Sequence, residues 1–344
     1  LVLDLGEIVP FLHRHRRQTA LQVLKLTLLV HVLVVKHFHA CLLALLTLLL
    51  AALPLGVWYV LYCIKVVPPA RLGRHVFGVL GGLALIFSAF FFNFGAAYGA
   101  TPLEDKIGLE ITAPSTEDLI VALSYTEVQL NQGADEVDFA ASGASKMPYS
   151  FAELTEKLNA AYDKLYPEYD FLTPLHAPVK RIALSKPMTY THLSGIYAVY
   201  TGEANVNINY PDFVIVYTTA HEMAHQRGVA PEDEANFIAF LVCAASDDPY
   251  IRYCGYANLY EYIADALYSA DADAYRSIAS FLDPAVAGEF AAYSKMFAPY
   301  SHSTASAVTD TINDTYLKLQ GESAGTKSYG LVVDLAVAYL KKQY

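Results

Sequence analysis

Two long stretches without a charged residue constrain this fold more than any other feature of the sequence. They run from Ala40 to Ile64 and from Val76 to Leu103. A helix of about 20 apolar residues crosses the hydrocarbon core of a bilayer, so we predict one span over 40–64 and another over 76–98. A third candidate, residues 19–35, contains Lys25 and His31 and is predicted to be a span, an interfacial helix or part of an N-terminus without defined structure.

Charge divides the chain into a basic, apolar head and an acidic body. Residues 1–100 carry a net charge of +6 and the remainder −17, within a total of −11 over 344 residues. The chain is 55% hydrophobic, which is unusually apolar for a purely soluble protein. An acidic surface repels the phosphates of nucleic acids, so no nucleic acid partner is expected. We predict a membrane region over 1–100 and a separate domain over 101–344.

The positions of Lys and Arg indicate the orientation in the membrane. Basic residues at 13–17 precede the first candidate span, and Lys65, Arg71 and Arg74 separate the other two. Both groups favour the cytoplasm, and three spans satisfy both while placing the body outside. We therefore predict a multi-pass membrane protein, with the lipid bilayer as a partner and an extracytoplasmic body. The chain begins with Leu1, as expected of a fragment.

The body reads as mainly α-helical with a small β-sheet. Ser115 has the character of a helix cap, and residues 149–166 have apolar side chains at helical spacing. The best strand candidates are 179–185 and 204–208, and 313–319 and 329–344 are predicted to be C-terminal helices. The predicted class is therefore an α+β domain preceded by transmembrane helices.

One motif in this body has the character of a metal site. It reads His221-Glu222-Met223-Ala224-His225, and a helix turns residues i and i+4 onto one face. Two imidazoles on one face can bind a single zinc ion, and the intervening Glu222 can act as general base toward a water molecule. The apolar run before it, residues 213–217, should hold the helix in the core.

A third ligand is expected shortly after the motif. Gly228 allows a left-handed helix end, and Pro231 suits the first position of a new helix. The acids that open this second helix are Glu232, Asp233 and Glu234. Glu232 is preferred as ligand because it shares a helix face with small residues; Glu234 is the alternate, and Asp233 is expected to complement the helix dipole. Asn236, on the same face as Glu232, is a candidate to steady a ligand.

Further candidates surround this motif. Residues 202–209 alternate polar and apolar side chains, so a peptide substrate could pair with the edge of this strand and contact Asn205 or Asn207. The candidates for stabilising an oxyanion are Tyr253, Tyr256, Tyr260 and His192, between which the sequence does not choose. His176 and His302 are expected in structural or surface roles, and Cys243 and Cys254 either form a disulfide or remain buried thiols.

These residues together resemble a known family. The stretches 221–228, 232–237, 202–207 and 253–256, with Ser328-Tyr329-Gly330 and Val333-Asp334-Leu335 near the end, are similar to domain of unknown function 3810, bacterial membrane proteins with a zinc-peptidase motif. The resemblance covers most of residues 85–344 and implies a zincin-like domain. Glu232-x-x-Ala235-Asn236 is also similar to the Glu-x-x-Ala-Asp helix of HtpX-like and gluzincin membrane peptidases, with Asn236 where Asp is usual.

The sequence therefore predicts a membrane-anchored metallopeptidase with one zinc ion. His221, His225 and Glu232 would bind the metal, and Glu222 would act first as base and then as acid on a peptide or protein substrate. A non-catalytic membrane sensor or assembly factor is the alternative. Its zinc would be structural, with four protein ligands, for example Glu234 beside Glu232 and the two histidines.

Overall fold

The structure, a computed structural model, describes Tyr59, Tyr62 and residues 69–319 and 331–342. Its contacts divide the chain into two units, residues 1–83 and 84–344. The described part is mainly helical with one small sheet, as the sequence predicts. The helices are α1 (Pro69–Asn93), α2 (Leu103–Ile107), α3 (Thr116–Ala134), α4 (Phe151–Leu165), α5 (Ser185–Thr189), α6 (Asp212–Gln226), α7 (Glu232–Ala245), α8 (Pro249–Ala270), α9 (Ala272–Ala279), α10 (Pro284–Phe297), α11 (Thr304–Leu319) and α12 (Val332–Lys341).

Helix α1 contains the apolar segment Gly73–Asn93, whose 21 residues have a mean hydropathy of 2.0. Among the described residues this is the one helix long and apolar enough to cross a membrane. It ends at Asn93, five residues before the predicted end of the span, and a 3-10 helix at Gly95–Gly99 follows. The spans predicted at 19–35 and 40–64 lie outside the described residues.

Capping explains where the first helices of the body begin. Ser115 and Ser150 each accept a hydrogen bond from the backbone N–H three residues later, and the carboxylates of Asp118 and Glu153 bond back to the cap residues. These reciprocal bonds satisfy N–H groups that a helix terminus leaves unpaired. The helices predicted from Ser115 and within 149–166 are therefore confirmed. The predicted segment 313–319 forms the end of α11, and the described part of 329–344 forms α12.

The sheet has three short strands, β1 (Lys180–Arg181), β2 (Gly195–Ala198) and β3 (Glu203–Val206), in the spatial order β1-β3-β2. Strand β1 is parallel to β3, and β2 is antiparallel to it with Ile196 opposite Asn205. The strand predicted over 179–185 is shorter than expected because Ser185 already begins α5. Strand β2 was not predicted from the sequence. The strand predicted over 204–208 corresponds to β3, which is the central strand.

Helix α6 is the centre of the body. It packs against α7, α8 and strands β2 and β3, and every residue from Phe213 to His225 is buried. The Tyr162 hydroxyl on α4 donates to the Ala220 carbonyl at 2.8 Å and so fixes the middle of this helix. The prediction that 213–217 lies in the core is confirmed, and the two histidines of the motif lie on a rigid element.

Candidate metal centre

A tight reversal between α6 and α7 brings the predicted ligands together. Gly228 has a φ of +94°, a left-handed conformation that glycine adopts at little cost, and the Val229 N–H closes the turn onto the Ala224 carbonyl at 3.2 Å. Helix α7 then begins at Glu232, as predicted, with Pro231 one position earlier than expected, at the N-cap. The first turn of α7 therefore faces the last turn of α6.

Three ligand atoms lie at the corners of a small triangle. His221 Nε2 and His225 Nε2 are 3.1 Å apart, and Glu232 Oε2 is 3.2 Å from the former and 3.7 Å from the latter. Zinc bound tetrahedrally, with Zn–N of about 2.05 Å, requires its ligand atoms to be roughly 3.3 Å apart. These side chains form the metal-ligand cluster found among the described residues, and their separations suit one such ion.

A hydrogen bond orients the His225 ring toward the cluster. His225 Nδ1 lies 2.7 Å from the Val229 carbonyl, so Nδ1–H donates and the Nε2 lone pair faces the cluster. His221 Nδ1 and Asn236 Nδ2 are both buried, and neither has a hydrogen-bond partner among the described residues. The Tyr217 hydroxyl donates to the Asn236 carbonyl at 2.6 Å and holds that residue on the metal side of α7.

Charge couples His225 to Glu232. Burial alone would lower the pKa of His225, but attraction to and a hydrogen bond with Glu232, together with the charge of Glu222 and the bond to Val229, raise that pKa to about 9. Burial would raise the pKa of Glu232, but the nearby His225 and hydrogen bonds from both histidines lower it well below its ordinary value. The Glu232 carboxylate is therefore charged at neutral pH and can bind a cation directly. A metal must displace the proton on His225 before that imidazole can bind it.

Glu222 lies beside this triangle in a buried position. Its Oε2 has no hydrogen-bond partner among the described residues, and burial raises its pKa to about 7. Strand β2 passes so close that a Cβ built on Gly195 would lie 2.7 Å from Glu222 Cδ. A buried carboxylate with one unpaired oxygen and a pKa near neutral pH can accept and return a proton.

The cluster opens into a cavity of about 870 Å³. Its walls include both motif histidines, Glu222, Glu232 and Asn236. Phe90, near the end of α1, and Phe94, the first residue after α1, also line the cavity. The Phe94 ring lies 5.7 Å from that of His225 in an edge-to-face arrangement. Glu261 and Asp310 add carboxylates, and no Lys or Arg lines this cavity.

The cavity is bordered by the outer strand of the sheet. Because β3 lies between β1 and β2, the prediction of an open edge on residues 202–209 is wrong; the strand beside the cavity is β2. Asn205 Nδ2 donates to the Ile196 and Glu203 carbonyls. Asn207 is fully buried and its Nδ2 donates to Leu193 O and Thr189 Oγ1. Neither asparagine is among the residues that line the cavity.

Glu234, the alternate ligand, points elsewhere. Its Oε1 accepts a hydrogen bond from the Leu103 N–H at 3.0 Å, and burial raises its pKa to about 7. It therefore connects α7 to the start of α2. The geometry brings Glu232, the preferred ligand, to the histidines and does not bring Glu234 there.

Of the four oxyanion candidates, only His192 lines the cavity. Its Nε2–H donates to the Tyr300 carbonyl at 2.8 Å. The Tyr253 hydroxyl donates to Glu289 at 2.6 Å. Tyr256 and Tyr260 pack in the protein core away from the cavity.

The remaining candidates have surface or structural positions. His176 is exposed and contacts Asp163 at 2.7 Å, and His302 is exposed. Cys243 and Cys254 are buried free thiols, so the disulfide left open by the sequence is not formed.

Three residues beside the centre were not predicted: Gly195, Tyr197 and Phe94. A glycine within the apolar segment 193–199 is a sign of close backbone approach, so Gly195 could have been found from the sequence. Tyr197 and Phe94, whose rings are 5.2 Å apart, come from distant parts of the chain. No local pattern indicates their contact.

Comparison with known proteins gives one finding. The sequence matches the family model described as "Protein of unknown function (DUF3810)" over residues 28–337. No curated protein matches the chain, and no solved structure matches it. Because the family match covers well over half of the sequence, this chain belongs to the DUF3810 family of proteins of unknown function.

Proposed function

We propose that this protein is a membrane-anchored, zinc-dependent hydrolase of zincin-like type that cleaves peptide bonds. One observation carries the proposal: two histidine nitrogens and one carboxylate oxygen lie 3.1–3.7 Å apart, beside an unpaired buried glutamate in the same cavity. Three protein ligands leave a coordination position open, which is typical of catalytic zinc sites.

The residues divide the chemistry between them. Zinc, when bound, supplies Lewis acidity toward both the attacking water and the scissile carbonyl. Glu222 accepts the proton that the water loses and then donates it to the nitrogen of the leaving amine. Its pKa of about 7 suits both transfers because neither protonation state is strongly favoured near neutral pH. Asn236, which lies one turn after Glu232 on α7 and whose Nδ2 is unpaired among the described residues, is the candidate to steady a metal ligand.

Strand β2 favours a peptide as the substrate. Among the described residues it pairs with β3 on one side, and Ile196 on this strand is exposed and lines the cavity. The unpaired edge of such a strand can bind an extended chain through backbone hydrogen bonds. This arrangement would place a peptide bond beside Glu222, which contacts β2 at Gly195.

The apolar segment Gly73–Asn93 supports attachment to a lipid bilayer. The basic residues around 13–17 and 65–74 favour the cytoplasmic side. We therefore extend the proposal to a multi-pass protein of the bacterial cell membrane whose catalytic domain is extracytoplasmic.

The non-catalytic alternative requires a closed site with four protein ligands. Glu234, its fourth ligand, is bonded to Leu103 instead, and no other His, Cys, Asp or Glu of the described residues joins the cluster. The structure thus offers this alternative no specific support.

The test compares the purified full chain with Glu222→Gln and His221→Ala. Zinc content is measured by elemental analysis, and turnover is measured on denatured casein. We expect one equivalent of zinc in wild type and Glu222→Gln, activity in wild type only, and loss of zinc in His221→Ala. If wild type and Glu222→Gln both contained zinc and neither was active, the result would contradict the hydrolase and favour a structural zinc site.

A further inference from the structure

The end of the apolar helix forms part of the wall around the metal centre. Phe90 and Phe94 line the cavity, and the Phe94 ring contacts both His225 and Tyr197, at 5.7 and 5.2 Å between ring centroids. The helix is therefore more than a tether within the unit 84–344, because removing its last turn would open one side of the site.

The length of the apolar segment indicates where Phe90 and Phe94 lie relative to a bilayer. A helix rises about 1.5 Å per residue, and a bilayer core is about 30 Å thick, so the 21 residues Gly73–Asn93 match one crossing. Phe90 is three residues before the end of that segment, and Phe94 is the first residue after it. For a helix that crosses the bilayer, this places the cavity at the boundary between hydrocarbon and water.

The same turns of the helix expose large apolar side chains. Leu85, Ile86, Phe87, Phe91 and Phe92 are all exposed, Phe92 to 80%. No described part of the protein covers them. Acyl chains are the natural cover for such a face next to a spanning segment.

The hairpin that joins β2 to β3 reaches from this boundary along α1 toward the hydrocarbon. Residues 193–202 contain no charged side chain, and the Thr201 and Gly202 N–H groups both bond to the Ala198 carbonyl. Tyr200, at the tip, is 57% exposed and its hydroxyl is 3.4 Å from the Ile86 carbonyl. Ile86 is seven residues before the end of the span, about 10 Å deeper. An uncharged, internally bonded tip with an exposed tyrosine suits the bilayer interface.

We infer that the cavity receives its substrate at the bilayer surface, and that this substrate is a peptide segment directly adjoining a membrane anchor. Such a segment leaves the bilayer in extended form between the hairpin and the end of α1, and it can pair with the edge of β2 as it enters. This inference rests on the proposed hydrolase function. It adds the class of substrate, which the metal cluster alone does not define.

The first test measures depth in the membrane. The full chain, with Cys41 and Cys63 replaced by Ala, receives one fluorescent label at Tyr200→Cys or at Tyr268→Cys. Tyr268 is the matched control because it is 50% exposed and lies on α8. In vesicles of phosphatidylethanolamine and phosphatidylglycerol with brominated acyl chains, we expect at least twofold quenching at 200 and little at 268. Equal, weak quenching at both positions would overturn the inference.

The second test measures substrate choice. β-Casein is fused directly to a single membrane-spanning helix, or through a flexible spacer of about 40 residues that holds it roughly 35 Å away, and both fusions are reconstituted with the protein at equal density. We expect the direct fusion to be cut near its anchor and at least about fivefold faster than the spaced one. Tyr200→Asp should slow the cutting of the direct fusion, whereas Tyr268→Asp should not.

The outcomes separate the inference from the function on which it rests. Equal cleavage of both fusions and of free casein, abolished by Glu222→Gln, would retain the hydrolase and overturn the substrate class. Cleavage of none of them by zinc-loaded wild type would overturn the hydrolase, and the substrate class with it. Quenching at position 200 would then still report the position of the hairpin in the membrane.

Discussion

At the scale of single residues, the absence of a side chain at position 195 decides where Glu222 can lie. A Cβ at that position would come within 2.7 Å of both Glu222 Cγ and Cδ, closer than carbon atoms approach without displacement. The glutamate would have to swing away from the cavity. In an active site, a displacement of about 1 Å can lower the rate by roughly a hundredfold.

We therefore expect Gly195→Ala to lower kcat by roughly a hundredfold while zinc content and Tm stay close to those of wild type. Gly133→Ala is the matched control, since a Cβ there would contact Tyr253 at an ordinary 3.5 Å and should leave activity unchanged. Steady-state turnover and elemental analysis measure both quantities. Full activity in Gly195→Ala would show that Glu222 has room to adjust.

Arg227, at the end of α6, is a second residue whose role is geometric. It is fully buried, its guanidinium lies 3.8 Å from the centroid of the Tyr162 ring, and it donates to Tyr166, Asn159 and two backbone carbonyls, those of Met223 and Leu175. Lysine retains the charge but cannot reach this set of acceptors. Replacing Arg227 would therefore lower the free energy of unfolding, because several buried acceptors would be left without donors.

We expect Arg227→Lys to destabilise the fold by about 3 kcal/mol, a fall in Tm of roughly 6–12 °C for a domain of this size. Arg252→Lys serves as control because Arg252 is only partly buried and donates one hydrogen bond to a backbone carbonyl. Thermal unfolding followed by circular dichroism in detergent measures the difference. Similar Tm values for the two variants would contradict the expected role of Arg227.

At the scale of elements, α6 and α7 make the site as a pair. Helix α6 supplies both histidines, and α7 supplies Glu232 in its first turn and Asn236 one turn later. Asn236 Nδ2 and His221 Nδ1 are both buried without a partner among the described residues, and both residues line the cavity. A partner for the distal nitrogen of a ligating histidine typically changes metal affinity by 10–100-fold.

Substitutions at Asn236 should accordingly change zinc affinity more than stability. We expect Asn236→Leu to weaken zinc binding by roughly 10–100-fold, and Asn236→Asp to bind at least as tightly as wild type because a carboxylate is the stronger acceptor for an imidazole N–H. Competition with a chelator of known affinity gives both constants. If wild type and both variants had the same zinc affinity, Asn236 would have no role in binding the metal.

The same pair of helices explains why this half of the site could be predicted. Its determinants are local: an i, i+4 histidine spacing, a glycine at a left-handed turn, and a helix that begins at Glu232 within seven residues of His225. Comparison of the helix faces also favours Glu232 over Glu234. Strand β2 could not be predicted, because its four residues are defined by pairing with β3 and not by their own periodicity.

At the scale of the whole molecule, contacts between distant segments decide what surrounds the metal centre. Phe94 reaches His225 across 131 positions of sequence, and Glu234 is withdrawn from the site by the backbone of Leu103. No charge pattern or propensity indicates either contact. The sequence therefore predicts which residues of α6 and α7 lie close together better than it predicts the walls of the cavity.

Buried carboxylates make the stability of the whole molecule depend on pH. Burial raises the pKa of Glu261 to about 7, with a further contribution from the nearby Glu289, whereas an unfolded chain has the ordinary value of about 4.3. The native state therefore holds the Glu261 proton more tightly than the unfolded state. Stability is lost as pH rises from about 4.5 to 7, and one pKa unit corresponds to about 1.4 kcal/mol.

Glu261→Gln should remove this loss. With zinc chelated, we expect the variant to be more stable than wild type by roughly 2 kcal/mol at pH 8, a rise in Tm of about 4–8 °C, and nearly equal to it at pH 4.5. Glu156→Gln is the control, because Glu156 is exposed on α4 and its curve should parallel that of wild type. Thermal unfolding in detergent at several pH values measures all three. A Glu261→Gln curve parallel to wild type would mean that the cavity solvates this carboxylate as well as water does.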